Sequence, residues 1–272
     1  MSNILITGIS GFLGKELCKH GLKLGHTIFG IANSEYRYKD LEATHPDLIV
    51  YNFDIGNDNG LIKKIIKDNK IDYIIHTAAM KHVGLCEKNV SRTVEVNILA
   101  TKKLIEAANE LNIKNIIGVS TDKAINPSCI YGMSKFFMEK MLLENSYGVF
   151  QGVNFFYSSG SVLEIWDKQR LELKKISANK NAVRYFTLVD EVSKKIFNNL
   201  ECKNIFSVDE CYKINIGKLC EAYCKFYNYN NKEDYDMLLV EKNIEEVPKN
   251  VKIIELNVDE IINLFYNSGA KK

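Results

Sequence analysis

No stretch of the 272-residue sequence approaches the ~20 consecutive apolar residues that a membrane-crossing helix needs. The N-terminus, MSNILITGISGFLG, lacks the basic region of a secretory signal, and its apolar run passes straight into a glycine pattern. An excess of one charge sign is also lacking. The 36 basic and 34 acidic side chains leave a formal net charge of +2, which removes the electrostatic case for nucleic acid or a membrane surface as the main partner. Cysteine occurs seven times, an odd number, and never as Cys-x-x-Cys. That argues against a disulfide framework and predicts reduced thiols in a cytoplasmic protein. No His, Cys or Asp cluster has metal-ligand spacing, so no metal is expected. His76 stands inside an apolar strand and reads as a hydrogen-bonded core or cleft residue. Cys220 and Cys224, four apart on an expected helix, read as two small buried hydrophobes.

What is present is a globular composition, 46% apolar and 26% charged, with length enough for a buried core. Short apolar runs alternate with helical patterns. Strands are expected at residues 3–7, 26–32, 48–53, 72–78, 115–120 and 148–156, and helices at 12–25, 61–69, 90–111 and 131–145. The strands are continuously apolar rather than alternating, and most are followed by a helix. This predicts an α/β fold with a doubly wound, Rossmann-type parallel sheet covered on both faces. After about residue 156 the rhythm degrades. Helices are expected near 163–175, 188–200 and 215–227, short strands at 203–208 and 236–241, and a polar loop at 228–234. The expected division is a dinucleotide-binding domain, 1–156, and a smaller substrate lobe, 157–272, interleaved with it.

Directly after the first strand comes GISGFLG, with Gly8, Gly11 and Gly14. Such glycines permit a tight turn, a close approach of pyrophosphate to backbone, and close helix–strand packing. The helix behind them presents the amides of Phe12 and Leu13, and its positive dipole end, to the phosphates. A strand before and a helix after are the context this motif requires. Past the second strand the chain reads ANSEYRYK. Ser34 and Arg37, with Lys39 behind, suit a 2′-phosphate and favour NADP; Glu35 suits a ribose diol and leaves NAD open.

At the end of a central strand stands STDKAINPSCIYGMSK, Ser120 to Lys135. Tyr131 and Lys135 are one helical turn apart and share a face. An ammonium beside a phenol would favour the phenolate, which can take a proton from a sugar hydroxyl while hydride leaves its carbon. Thr121 would hydrogen-bond the same oxygen.

These motifs resemble the extended short-chain dehydrogenase/reductase superfamily. HTAAMKHV (76–83) with STDKAINPSCIYGMSK resembles, more narrowly, the UDP-N-acetylglucosamine 4,6-dehydratases, including the inverting 4,6-dehydratase/5-epimerases of pseudaminic-acid and capsule pathways. The resemblance covers most of 3–145 and has a weaker echo in VRYFTLVDEV (183–192). It implies that Gly8, Gly11 and Gly14 hold the pyrophosphate, that Asp54 and Ile55 edge the adenine, and that Ala78, Ala79 and Lys81 line the cofactor and sugar cleft. It implies that Thr121 polarises the sugar C4 hydroxyl and that Tyr131, assisted by Lys135, deprotonates it. Asp122 becomes the acid at C6 and Lys123 the base at C5. Asn154 and Arg184 are candidate substrate residues, Arg184 for a diphosphate.

The segment GVNFFYSSGSV (152–162) departs from the family, because it is shortened and lacks a Gly-Asn pair. Two readings follow. The favoured one is a compact UDP-N-acetylglucosamine 4,6-dehydratase, with C5 either retained or inverted as in the family's epimerising members. The alternative is an NADPH-dependent reductase/C5-epimerase acting on a UDP-4-keto sugar made by a partner dehydratase. A non-catalytic sensor of the same fold is disfavoured because Tyr131 and Lys135 are both retained. Apolar residues at several angles around 136–143 predict a homodimer built on helices 90–111 and 131–145.

Overall fold

The first strand, β1 (Asn3–Thr7), is apolar on both faces and buried after its first residue. It pairs in parallel with β2 (Thr27–Ala32), which pairs in parallel with β3 (Ile49–Asn52). On its other side β1 pairs in parallel with β4 (Tyr73–His76), followed by β5 (Asn115–Thr121) and β6 (Gly148–Gly152). The edge is Ile205–Phe206, parallel to β6. In this computed structural model, which describes residues 1–34, 43–45, 48–235 and 245–270, the central sheet thus has seven parallel strands. The chain runs outward from β1 through β2 and β3, then crosses back to β4. Strand order therefore reverses beside β1, and ligands of such sheets sit beyond the carboxyl ends at that point.

The chain divides into two compact units. The first is Met1–Gly152 with Val192–Ser207, and the second is Val153–Glu191 with Val208–Lys272. In the first, Leu5, Ile31 and Ile74 of the sheet form one cluster with Ile62, Leu104 and Met138 of the covering helices. Each such side chain contributes roughly 1.5–3 kcal/mol on burial. In the second, Asn154–Phe155, Val183–Thr187, Glu210–Asn215 and Lys252–Glu255 form a four-stranded sheet. Trp166, Leu219, Tyr223, Phe226, Ile261 and Phe265 lie in its core. Cys220 and Cys224 are buried there as thiols.

Three local expectations need correction. The apolar run 148–156 is not one strand. β6 ends at Gly152, and Asn154–Phe155 pairs instead with Val183–Thr187 in the other sheet. Periodicity cannot register that break, because apolar residues continue through it. The helix expected over 90–111 is preceded by a separate helix, Val83–Lys88, and winds as a π turn over Glu95–Leu99 before continuing as Ala100–Glu110. The polar stretch 228–234 overlaps a strand, Lys232–Tyr235, parallel to Ile176–Asn179. Backbone pairing prevails there over weak side-chain preference. The strand expected at 236–241 lies outside the described residues.

Candidate active site

Gly8 leaves β1 with φ +73°, and its amide donates to Ile31 O at 2.8 Å. A Cβ there would stand 2.8 Å from Thr77 Oγ1 and 2.9 Å from Ala78 N. A Cβ on Gly14 would stand 2.3 Å from Gly8 O and 2.7 Å from Ile9 Cα. Both glycines are therefore fixed by close packing of the β1 turn, the β4 end and the first helix, α1 (Phe12–Lys23). Gly11 caps α1 without any side-chain bond, and the first turn holds no acidic residue. The helix end thus keeps backbone donors and a positive dipole for an anion. Together, the strained Gly8 turn and this uncapped twelve-residue helix fit a dinucleotide diphosphate. Phe12 is half-buried and Leu13 buried.

Ser34, beyond β2, is half-buried, whereas Arg37, Glu35 and Lys39 lie outside the described residues. Ile55 is buried. Asp54 is already engaged: Oδ1 accepts from Gly56 N at 2.9 Å, and Oδ2 forms an ion pair with Arg92, which also meets Glu95 at 3.0 Å. Past β4, Ala78 and Ala79 are half-buried and Lys81 is exposed. The Ala78 amide donates to Thr7 Oγ1 at 3.2 Å.

Thr121 closes β5 and Asp122–Ala124 makes a 3-10 turn, so three polar side chains leave the strand end together. Thr121 Oγ1 donates to Asp122 Oδ1 at 2.6 Å. Lys123 Nζ meets the same oxygen at 3.2 Å; the Asp122 side chain is 1% exposed and that of Lys123 31%. Tyr131 sits in the first turn of Ile130–Glu144, whose N-terminal amides are capped by Cys129 Sγ and by Glu87 Oε1, the latter at 2.7 Å from Ile130 N. Burial pushes the Tyr131 phenol well above its ordinary value, the Asp122 charge adds to the rise, and a hydrogen bond with Thr121 opposes it. Thr121, Asp122, Lys123 and Tyr131 are thus brought to one place.

Lys135 stands one helical turn beyond Tyr131 in the same helix. It shares the helix face with Tyr131 but is buried, and its Nζ donates to Met138 Sδ at 3.1 Å. Burial lowers it to about 8, with the Glu139 charge opposing. Below it, Glu139 Oε1 accepts from Gln151 Nε2 of β6 at 2.9 Å. His76 is a satisfied core residue. Its Nδ1 lies 2.7 Å from Thr7 Oγ1 and its Nε2 3.0 Å from Thr101 Oγ1. Burial, and then the Lys135 charge, lower His76 to about 3, so it stays neutral.

Sequence reading missed Asn97 and Ser134. In the π turn, Asn97 Oδ1 accepts from Met80 N at 2.8 Å, while Nδ2 donates to Met80 O and Ser134 Oγ, both at 2.9 Å. Ser134 Oγ donates to Tyr131 O at 2.8 Å. This clasp ties the segment after β4 to the Tyr131 turn. The signal available was an amide inside the apolar run VNIL.

Asn154 and Arg184 lie in the second unit, and both meet Glu245. Arg184 Nε stands 3.1 Å from its Oε1, and Asn154 Nδ2 donates to its Oε2 at 3.2 Å. The carboxylate that neutralises Arg184 was not anticipated.

The family model described as polysaccharide biosynthesis protein matches residues 4–247. A Campylobacter jejuni protein named UDP-N-acetylglucosamine 4,6-dehydratase (inverting) is 29% identical over 61% of this chain and 53% of its own length. The probable polysaccharide biosynthesis protein EpsC of Bacillus subtilis is 28% identical over 85% of this chain and 41% of its own. The chain therefore spans about half or less of the length of these relatives. Among solved structures, Pen from Bacillus thuringiensis superposes with a TM-score of 0.86 at 22% identity, covering 98% of each chain.

Proposed function

The chain belongs to the polysaccharide biosynthesis protein family, of the extended short-chain dehydrogenase/reductase type, and on that premise we propose that it is an NADP-dependent UDP-N-acetylglucosamine 4,6-dehydratase. One observation carries the reading. A buried carboxylate and a lysine amine, Asp122 and Lys123, stand 3.2 Å apart at a strand end, next to the Thr121 and Tyr131 hydroxyls. A simple alcohol dehydrogenase needs the hydroxyls alone. Elimination of water needs an acid and a base as well.

Gly8, Gly11, Gly14 and the Phe12 and Leu13 amides would hold the dinucleotide diphosphate, with Ser34 and Arg37 toward the 2′-phosphate. Bound there, the nicotinamide supplies reversible oxidation at the sugar C4, which acidifies the hydrogen on C5. Tyr131, deprotonated to the phenolate with the help of the Lys135 charge, would take the proton of the C4 hydroxyl, and Thr121 would hold that oxygen. Lys123 takes the C5 proton, and Asp122 gives a proton to the departing C6 hydroxyl, which leaves as water. Moving a proton from the Lys123 amine to the Asp122 carboxylate would turn the ion pair into the neutral base and acid that the elimination requires. With the hydride taken from C4 given back at C6, return of a proton from Lys123 to C5 would complete the product and set the configuration there.

The test is purified protein with UDP-N-acetylglucosamine and no added reductant, followed by mass spectrometry. The reading expects loss of one water with no net consumption of dinucleotide. Turnover of a 4-keto-5,6-ene sugar with NADPH, and none of the first substrate, would replace it by the reductase/epimerase.

The protein acts as a homodimer in this reading. Leu85, Val90, Leu99, Met133 and Phe137 are exposed on Val83–Glu110 and Ile130–Glu144 of the same unit. A second copy would cover them in a four-helix contact. Sedimentation should give a dimer that Phe137→Glu dissociates; a wild-type monomer would refute it.

A further inference from the structure

Glu139 stands one turn beyond Lys135 on the same helix, and the two residues are 4% and 3% exposed. A buried carboxylate is destabilising unless something compensates it, and an apolar side chain in its place is often more stable. Its compensation is specific. The Gln151 side-chain amide of β6 donates to Oε1 at 2.9 Å, and the Gln151 main-chain carbonyl accepts from Ser207 Oγ at 2.6 Å.

The Lys135 side chain is buried among groups of neighbouring elements. From β4 comes His76, held neutral. Gln151 of β6 and the buried Ser120 of β5 both act on the Glu139 carboxyl and oppose its rise. On its own helix the Lys135 amine meets the Met138 thioether, with Tyr131 one turn before and Glu139 one turn after, and the Lys140 charge acts on Glu139. Resting on the acid–base reading of Tyr131 and Lys135, we infer that Glu139, clamped by Gln151, is a positioning residue: it is the buried counter-charge that keeps Lys135 cationic beside the reacting sugar oxygen. Burial lowers Lys135 to about 8, and Glu139 is the charge that opposes the fall. Burial raises Glu139 in turn, while its hydrogen bonds and the Lys135 charge oppose that rise. Without the carboxylate the lysine would release its proton at lower pH, and the alkaline limb of activity would move down with it.

The experiment reads Lys135 itself. Protein labelled with 13C at the lysine ε-carbons is titrated by NMR, with the Lys135 signal assigned by its loss in Lys135→Met. Glu139→Gln keeps a carbonyl for Gln151 but removes the charge. It should lower the Lys135 titration by about one pH unit, and Glu139→Asp should restore part of the shift. The alkaline limb of kcat/KM should move in the same direction. An unchanged Lys135 titration in Glu139→Gln overturns the inference, even if thermal stability falls, because that outcome leaves only packing. Should Glu139→Gln fail to fold, Gln151→Met removes the clamp and keeps the carboxylate. A smaller downward shift then supports the inference, and no shift overturns it. The titration does not depend on turnover, so a wild-type protein inert toward UDP-sugars would sink the functional reading separately.

Discussion

In the first unit, Lys135 and His76 are buried and both titrate below their ordinary values, because burial disfavours their charged forms. In the second unit, Tyr157 Oη donates to Asp167 Oδ2 at 2.5 Å and lies 2.6 Å from Tyr227 Oη. Tyr223 Oη donates to Asp167 Oδ1 at 2.8 Å, and Arg170 donates to Tyr223 Oη at 3.1 Å while its guanidinium lies 4.1 Å from the Tyr227 ring centroid. The second network closes on itself and holds Val162–Leu171 against Ile216–Tyr227. The first leaves a cation in an apolar setting and a carboxylate–amine pair at a strand end. The difference is that between polar groups that stabilise a fold and polar groups that the fold supports at a cost in stability.

The sharpest way to break this comparison is Tyr131→Phe. Turnover should fall about 10³-fold, while dinucleotide affinity, read by fluorescence titration, and the melting midpoint stay unchanged. A large loss of stability would place Tyr131 with the structural network instead.

Lys135→Met should abolish turnover and yet stabilise the protein. The ordinary value of 10.5 falls to about 8 in the fold, so the penalty is fully present below about pH 8 and disappears as pH rises toward 10.5. Denaturant unfolding should therefore show a gain of up to roughly 3 kcal/mol near neutrality that fades across that window. A loss of stability at neutral pH would contradict the contrast between the units.

Asp167→Asn should do the reverse. It weakens the bonds from Tyr157 and Tyr223, and should destabilise the protein by about 1–3 kcal/mol while the folded fraction turns over normally. Lost turnover at full stability would mean that this network, too, serves the chemistry.

The residues differ in how visible they were from sequence. The Gly8–Gly14 turn and the run from Thr121 to Lys135 were legible because fixed spacing on a strand end and a helix places side chains without further information. The parallel sheet was legible from continuous apolar strands. Lys135 shows the limit of spacing: it predicts a shared face with Tyr131 but not that Nζ turns toward Met138. Glu139 was hidden because FFMEKMLL reads as a helix with solvent charges, and burial of that carboxyl depends on Gln151 of another strand. Asn97 was hidden because a π turn has no sequence period of its own. Glu245 is far in sequence from Asn154 and Arg184, so no local pattern joins them.

The most direct measurement is turnover of UDP-N-acetylglucosamine in D2O, with the product analysed by NMR and mass spectrometry. An acid–base pair of Asp122 and Lys123 predicts a product that has lost one water and carries deuterium at C5, because Lys123 exchanges its protons with solvent before returning one. A dehydrated product with protium at C5, or no dehydration at all, would contradict the account.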